Sequence, residues 1–441
     1  MQEEAKRKAG LLIGIHRRRR LKEDPGGGWT QDQFILDALT GEAICSRMTL
    51  YKLEQGQGIQ DEDRLELLLR KLDETPLKQP EQILEDQAII QRLKQAYDAM
   101  DLAALAALYA EIEALPPTDQ VILKETQSCL RLIVEHLAFA DVPPDKRLYI
   151  EYRKGDAKLK EQVSAMLDLA QVLDEDLYAM LISVLWQINL NQWSDWKLSE
   201  TLLVRLEQCQ RQDGIWLYRK GAFLSALNRK AEALDCLNAV LKSSYLLPDA
   251  VRAISEILRF RIWKQLDQND AFRQSPAFEQ TLLSLPNDLT SQGWMELGLC
   301  LCEGGEQSGV QRIERALLQA PYLALFYLPH LDRCPLDFSV VLSSAAAYLD
   351  AWTSPGTGAI YRYYQAKHQK EAPISLQQRI LKEILPQMED TVYRPQELIP
   401  ILHDELLALV QKTGSYKGLA DFELAVKRRK PALNRSFGMS G

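Results

Sequence analysis

The chain has 441 residues, a formal net charge of −8, 46% apolar and 26% charged residues. That is enough apolar matter for two or three folded units with an ordinary soluble surface. Its seven cysteines and five histidines are scattered, with no Cys-x-x-Cys pair, which excludes a disulfide framework or a clustered zinc site and favours buried thiols in a reducing cytosol. The charged N-terminus does not read as a signal peptide, and the apolar run Tyr178 to Leu190 is too short to span a bilayer. A soluble, cytoplasmic chain is expected, with no membrane partner and no cofactor.

A first helix is predicted from about Glu4 to Lys22, closed by Pro25 and the glycines Gly26 to Gly28. It carries four consecutive arginines, Arg17 to Arg20. Thr30 caps a second helix with Gln31 and Gln33 in its first turn and Phe34, Ile35 and Ala38 facing inward. After a break at Thr40-Gly41, Ser46 caps a third helix through Leu53, ended by Glu54 and Gly56. Ile44, Leu50 and Leu53 are its core positions, and Glu54 is expected to pair with a basic residue of the first helix. A further helix runs from Asp61 to Leu72. Between Ala5 and Leu53 ten basic residues face five acidic ones, so the acidic total conceals a basic N-terminal region suited to phosphate.

Pro76 and Pro80 mark a linker, placing an N-terminal domain at 1–75 and a linker with the first repeat helix at 76–90. From 91 to 425 helices of roughly ten to seventeen residues alternate with short breaks such as Leu115-Pro116-Pro117 and Leu247-Pro248, the pattern of stacked helical hairpins. The expected class is therefore all-α, a small five-helix N-terminal domain followed by a helical solenoid. Residues 426–441, with Lys427 to Lys430 and Arg435, read as a basic flexible tail.

Two segments carry a repeat signal. Trp294, Leu297, Gly298 and Leu301, followed by Gly309, Ile313, Ala316 and Pro321, match the tetratricopeptide pattern once a residue is deleted from the turn. Leu217, Gly221, Leu224, Ala233 and Leu237 follow it more loosely. An unclassified antiparallel helical array is the competing reading.

The combination Thr30-Gln31, Ser46 to Leu53 and Glu54-x-Gly56 resembles the XRE (Cro and lambda-repressor-like) helix-turn-helix family over about Gly10 to Leu72. The chain departs from that family by about five extra residues near Thr40 to Cys45, which displaces the start of the third helix. The resemblance implies DNA contacts from Arg17, Arg18, Gln31, Ser46, Arg47, Met48, Thr49 and Lys52. Arg47, Met48, Thr49 and Lys52 would lie in the major groove, and the arginine run would meet phosphate. Four arginines in a row wrap around a helix, so two are expected on phosphates and one in an internal pair.

Such a domain ahead of tetratricopeptide-like repeats resembles the peptide-sensing regulators of Gram-positive bacteria. That resemblance implies a homodimer on double-stranded DNA and a groove for a short signalling peptide. Asn189, Asn191, Arg219 and Asn228 are candidate peptide contacts, with helix capping as their ordinary alternative. Trp186, Trp193, Trp196, Trp216, Tyr218 and Trp263 read mainly as packing between hairpins. P-loop, Gly-x-Ser-x-Gly and His-Glu-x-x-His patterns are missing, and an enzyme is not expected. The other class considered is an interaction scaffold whose N-terminal domain docks protein.

Overall fold

Side chains that accept the first orphan backbone N–H groups decide where several helices begin. Thr30, Ser46, Asp61, Asp101, Asp213 and Asp337 each stand before a helix and accept from a backbone N–H within its first turn. The computed structural model describes residues 3–57, 61–76, 80–99, 101–138, 157–189, 195–209, 213–242, 247–349, 355–388 and 395–436. Among these residues the regular structure is helical, and strand-like pairing is confined to the isolated bridges Leu36–Ala43 and Thr75–Gln120. No described helix is long and apolar enough to cross a membrane.

The chain divides into two compact units. The first comprises Met1–Asp141, Gly155–Leu185 and Arg205–Cys209. In chain order its helices are α1 (Glu3–Glu23), α2 (Gln31–Phe34), α3 (Arg47–Glu54), α4 (Glu62–Arg70), α5 (Pro80–Ala99), α6 (Leu102–Glu113), α7 (Val121–Ala138) and α8 (Ala157–Leu167). A 3-10 turn at Asp168–Gln171 follows, and the unit takes in most of α9 (Glu175–Ile188). Among the described residues four helices, where five were expected, precede residue 75. The expected boundary there falls inside this unit, because α1 packs on α7 as well as on α3 and α4. Nine residues of α1 are buried, from Ala5 through Leu12 and Ile13 to Arg17.

The second unit begins its described residues with the end of α9 and most of α10 (Trp196–Gln208). It continues with α11 (Gly214–Ala226), α12 (Lys230–Lys242), α13 (Asp249–Leu266), α14 (Gln268–Ser284), α15 (Ser291–Glu303) and α16 (Ser308–Gln319). Then come the single turns α17 (Leu323–Phe326) and α18 (Leu328–Leu331), α19 (Phe338–Ala346), α20 (Pro355–His368), α21 (Pro373–Arg379), α22 (Pro395–Thr413) and α23 (Lys417–Ser436). The basic C-terminal stretch thus lies within α23 as far as Ser436, where a flexible tail was expected. Its last residues, 437–441, lie outside the described ones.

Helices α11 and α12, α13 and α14, and α15 and α16 pack pairwise. The segment with the best repeat match is the hairpin α15/α16, and its small residues let two backbones meet. A Cβ on Gly298 would stand 2.8 Å from the Gly309 carbonyl oxygen and 2.6 Å from Ile313 Cγ1. One on Gly309 would stand 2.6 Å from the Gly298 oxygen. Trp294 is buried one turn earlier, with the Arg315 guanidinium 4.0 Å from its ring centroid. Phe260 and Phe278 stack at 4.1 Å beside it in the same core.

Gly298→Ala is expected to destabilise the chain by about 1–3 kcal/mol, since the methyl overpacks a backbone contact. Chemical denaturation of the two proteins measures the difference, and an unchanged midpoint would contradict the close approach.

Candidate nucleic-acid interface

Helix α1 offers α3 a surface without side chains. A Cβ at Gly10 would lie 2.7 Å from the Leu53 carbonyl oxygen, and one at Gly14 would lie 3.0 Å from Glu54 Cβ. One turn on, Arg17 closes this contact. Its Nε and Nη2 donate to the two Glu54 carboxylate oxygens at 2.6 and 3.1 Å, and Nη1 donates to the Trp29 carbonyl at 2.8 Å. Both side chains are buried. The internal pair foreseen for Glu54 exists, and Arg17 makes it, so Arg17 does not face outward and the phosphate contact expected of it is corrected.

Successive residues of a helix turn by about 100°, and the other three arginines reach other elements. Arg19 donates to Glu125 of α7 at 2.9 Å. Arg20 donates to the Leu72 carbonyl at 2.9 Å and to Asp73 at 3.1 Å, and lies over the Trp29 ring. Arg18 is the outward member, half-exposed and 3.9 Å from Asp168. The run is chiefly structural.

Helix α2 is a single turn. Phe34 is buried, but Ala38, expected on the same inner face, is exposed and Ile35 is only partly covered. Lys71, the residue that follows α4, meets the end of this turn from outside. Its ammonium donates to the carbonyls of Phe34 and Leu36 at 2.8 and 2.6 Å, and to that of Gln33 at 3.4 Å. The chain then makes a hairpin, with Asp37 N–H donating to Glu42 O and Ile44 N–H to Ile35 O, both at 2.8 Å. The Asp37 carboxylate accepts from the backbone of Thr40 and Leu39 and from the Thr40 hydroxyl, bonds that hold its pKa below the usual value. The break read at Thr40-Gly41 lies within this hairpin.

Helix α3 begins at Arg47, capped by the Ser46 hydroxyl, which accepts from Thr49 N–H at 3.0 Å. Leu50, Leu53 and Glu54 face inward, while Ile44 is only partly buried. Arg47, Met48, Tyr51 and Lys52 are exposed, Met48 at 62% and Tyr51 at 52%. Positions 47, 48, 51 and 52 share one face of a helix, so the outer surface of α3 is an apolar pair flanked by two cations. Tyr51 was not singled out in the sequence, although its spacing of four from Arg47 was there to find.

Gln31 links this face to the buried pair. Its Nε2 donates to Glu54 at 3.0 Å, and its Oε1 accepts from Arg47 Nε at 3.3 Å. Arg47 Nη1 lies 3.4 Å from Asp32. Ser46 and Thr49 have their hydroxyls joined at 2.9 Å. Of the eight expected contacts, Arg18, Arg47, Met48 and Lys52 thus point outward, Gln31, Ser46 and Thr49 serve the scaffold, and Arg17 is interior.

The described candidate peptide contacts, Asn189, Arg219 and Asn228, have local structural settings. Asn189 is fully buried and bonds to Asp195 O at 2.8 Å, Ser199 Oγ at 2.7 Å and Asp195 N–H at 3.1 Å, which spends its amide on bracing the start of α10. Asn228 has φ +60° and ends α11 as a left-handed cap. Arg219 is buried within α11. Asn191 and Trp193 lie outside the described residues. Trp186 stacks on Phe223 at 3.9 Å, a packing role. No described group of histidines, cysteines and carboxylates could hold a metal ion. Comparison with family models, curated proteins and solved structures finds no match to this chain.

Glu54→Ala would strand the buried Arg17 charge and is expected to cost about 3–5 kcal/mol. Arg17→Met with Glu54→Leu, which removes both charges, should recover much of that loss in urea titrations.

Proposed function

We propose that the protein is a sequence-specific regulator of transcription that lays α3 in the major groove of double-stranded DNA. The observation that carries this reading is the outer face of α3. Arg47 and Lys52 flank Met48 and Tyr51 on a helix whose inner face is anchored to α1 through Leu50, Leu53 and the Arg17–Glu54 pair. Arginine can meet guanine O6 and N7 with two hydrogen bonds, and an apolar side chain can meet the thymine methyl. Arg47 is held by Gln31 through Nε and paired with Asp32 through Nη1, an exposed pair that its guanidinium would exchange for the base. Arg18 and Lys52 serve phosphate.

The resemblance to XRE-type regulators with tetratricopeptide-like repeats extends the reading to a homodimer, with α3 helices about 34 Å apart on paired half-sites. The second unit would then sense an extended peptide in a helical solenoid. The repeat-matched hairpins α11/α12 and α15/α16 support this part, whereas Asn189 and Asn228 are committed to capping. A second reading, protein docking by the N-terminal region, is favoured by the exposed Leu36 and Leu39 of the hairpin, Leu39 at 96%.

Fluorescence anisotropy against the upstream region of its own gene and a scrambled duplex separates the two. Salt-sensitive, sequence-preferring binding is expected, and equal binding to both duplexes, or none at low salt, would sink the regulator reading. Arg47→Ala should cost about 1–3 kcal/mol of discrimination. Lys52→Ala should weaken all duplexes alike and reduce the salt slope by about one unit. Met48→Ala should abolish any loss of affinity caused by replacing thymine with uracil in the bound site.

A further inference from the structure

His16 takes no part in the outer face of α3, yet both of its ring nitrogens are engaged in the interior of the first unit. It is buried on α1, with Nδ1 2.7 Å from Glu74 Oε1 and Nε2 2.8 Å from Glu125 Oε1. A carboxylate only accepts hydrogen bonds, and a neutral imidazole has a single N–H to give. Both contacts are satisfied together only by the doubly protonated ring. With one proton fewer, a nitrogen lone pair would face carboxylate lone pairs in a site closed to water.

The surrounding charges keep that proton on the ring. Glu125, on α7, also accepts from Arg19 at 2.9 Å, and Glu74, which follows α4, accepts from Lys124 of α7 at 3.0 Å. At the rim Arg20 meets Asp73. On α7 the Cys129 thiol, its pKa pushed up by burial, also feels Glu125 and Arg19. Burial opposes charge on His16, but its hydrogen bonds to Glu125 and Glu74 and their negative charges outweigh it and raise its pKa. Burial likewise opposes charge on Glu125, and the bond to His16 with the charges of Arg19 and His16 brings it down to about 2. Beside this cluster the backbone is stitched once more, Thr75 N–H to Asp119 O at 2.8 Å and Val121 N–H to Thr75 O at 3.0 Å. Three chain segments therefore converge on one imidazole.

We propose that His16 is a proton-operated latch: its imidazolium, shared by Glu74 and Glu125, clamps α7 and the segment after α4 onto α1, and loss of that proton loosens the seam. The sign follows from the direction of the shift. A histidine whose folded pKa is raised adds stability that is fully present below its unfolded value and is lost as pH rises through the folded one. Glu125 acts at the opposite end, its contribution present above the ordinary carboxylate range and lost as pH falls towards 2. Between these limits the latch is shut.

Because α1 also carries α3 on its Gly10–Gly14 face, the latch lies on the helix that supports the outer face. It does not depend on what that face binds.

Histidine and amide hydrogen exchange on the full chain test this together, resolved by peptide across pH 5 to 10. The His16 ring should titrate above 6.5. Amide protection in α7, corrected for intrinsic rate, should fall through the same pH, by about tenfold for each unit of elevation. In His16→Gln the α7 protection should be low already at pH 6 and should lose this step. A His16 titration at or below 6.5, or α7 protection indifferent to it, would overturn the latch. The wild-type measurements decide the matter even if the variant does not fold.

Discussion

A helix buried along much of its length can carry a cation only where a neighbour supplies an acceptor, because an unpaired buried charge costs several kcal/mol. Helix α1 carries four arginines in a row after His16, and its surroundings are organised by the need to answer them. Glu54, Glu125, Glu74, Asp73 and two backbone carbonyls are the principal replies. They come from α3, from α7, from the end of α4 and from the turn before α2. Since consecutive side chains point in different directions around the axis, each pair fixes a different neighbour. The charge run thus specifies the packing around α1, a task that apolar contacts alone leave more permissive. The glycines at 10 and 14 complete the arrangement by letting α3 lie against bare backbone.

The second unit solves the same problem with separate clusters. Glu296 is buried among Arg261, Lys264 and Tyr327, with Arg261 Nε at 2.8 Å and the Tyr327 hydroxyl donating at 2.8 Å. Burial alone would raise its pKa, and the two cations bring it down to about 2. Farther on, Lys367 donates to Asp332 at 2.6 Å and to Glu405 at 2.7 Å, while His368 meets Asp332 and stacks on Phe338. These clusters join α13 to α15 and the segment after α18 to α20 and α22. Each serves as a cross-brace between helices.

The sequence made the helices legible because apolar spacing and capping residues are local signals. Ser46 and Thr30 mark their helix starts directly, and the glycine matches of α15/α16 mark a close hairpin. What was not legible depended on residues far along the chain. Nothing near Phe34 announces that the carbonyls at the end of α2 are met by Lys71, far along the chain. That the first compact unit extends past residue 75 was hidden for the same reason, because Glu125 is the partner of His16 and Arg19. For the outer face, Arg47, Met48 and Lys52 came from the resemblance to the helix-turn-helix family, and the structure leaves all three exposed on α3. Arg17 was misassigned because four adjacent arginines look alike until their neighbours are in place, and Asn189 because a capping amide and a ligand-binding amide have the same formula.

The hairpin between α2 and α3 leaves the domain at Ile35 and returns at Ile44, where a backbone hydrogen bond joins the two ends. The path between them is closed on itself. Chain length there is consequently decoupled from the placement of α3, whose cap and inner face are set by Ser46, Leu50, Leu53 and Glu54. This makes the tip around Leu39 to Gly41 the natural port in the N-terminal region, a place where an epitope, a fluorophore or a longer loop can be carried without altering how the helix behind it is held.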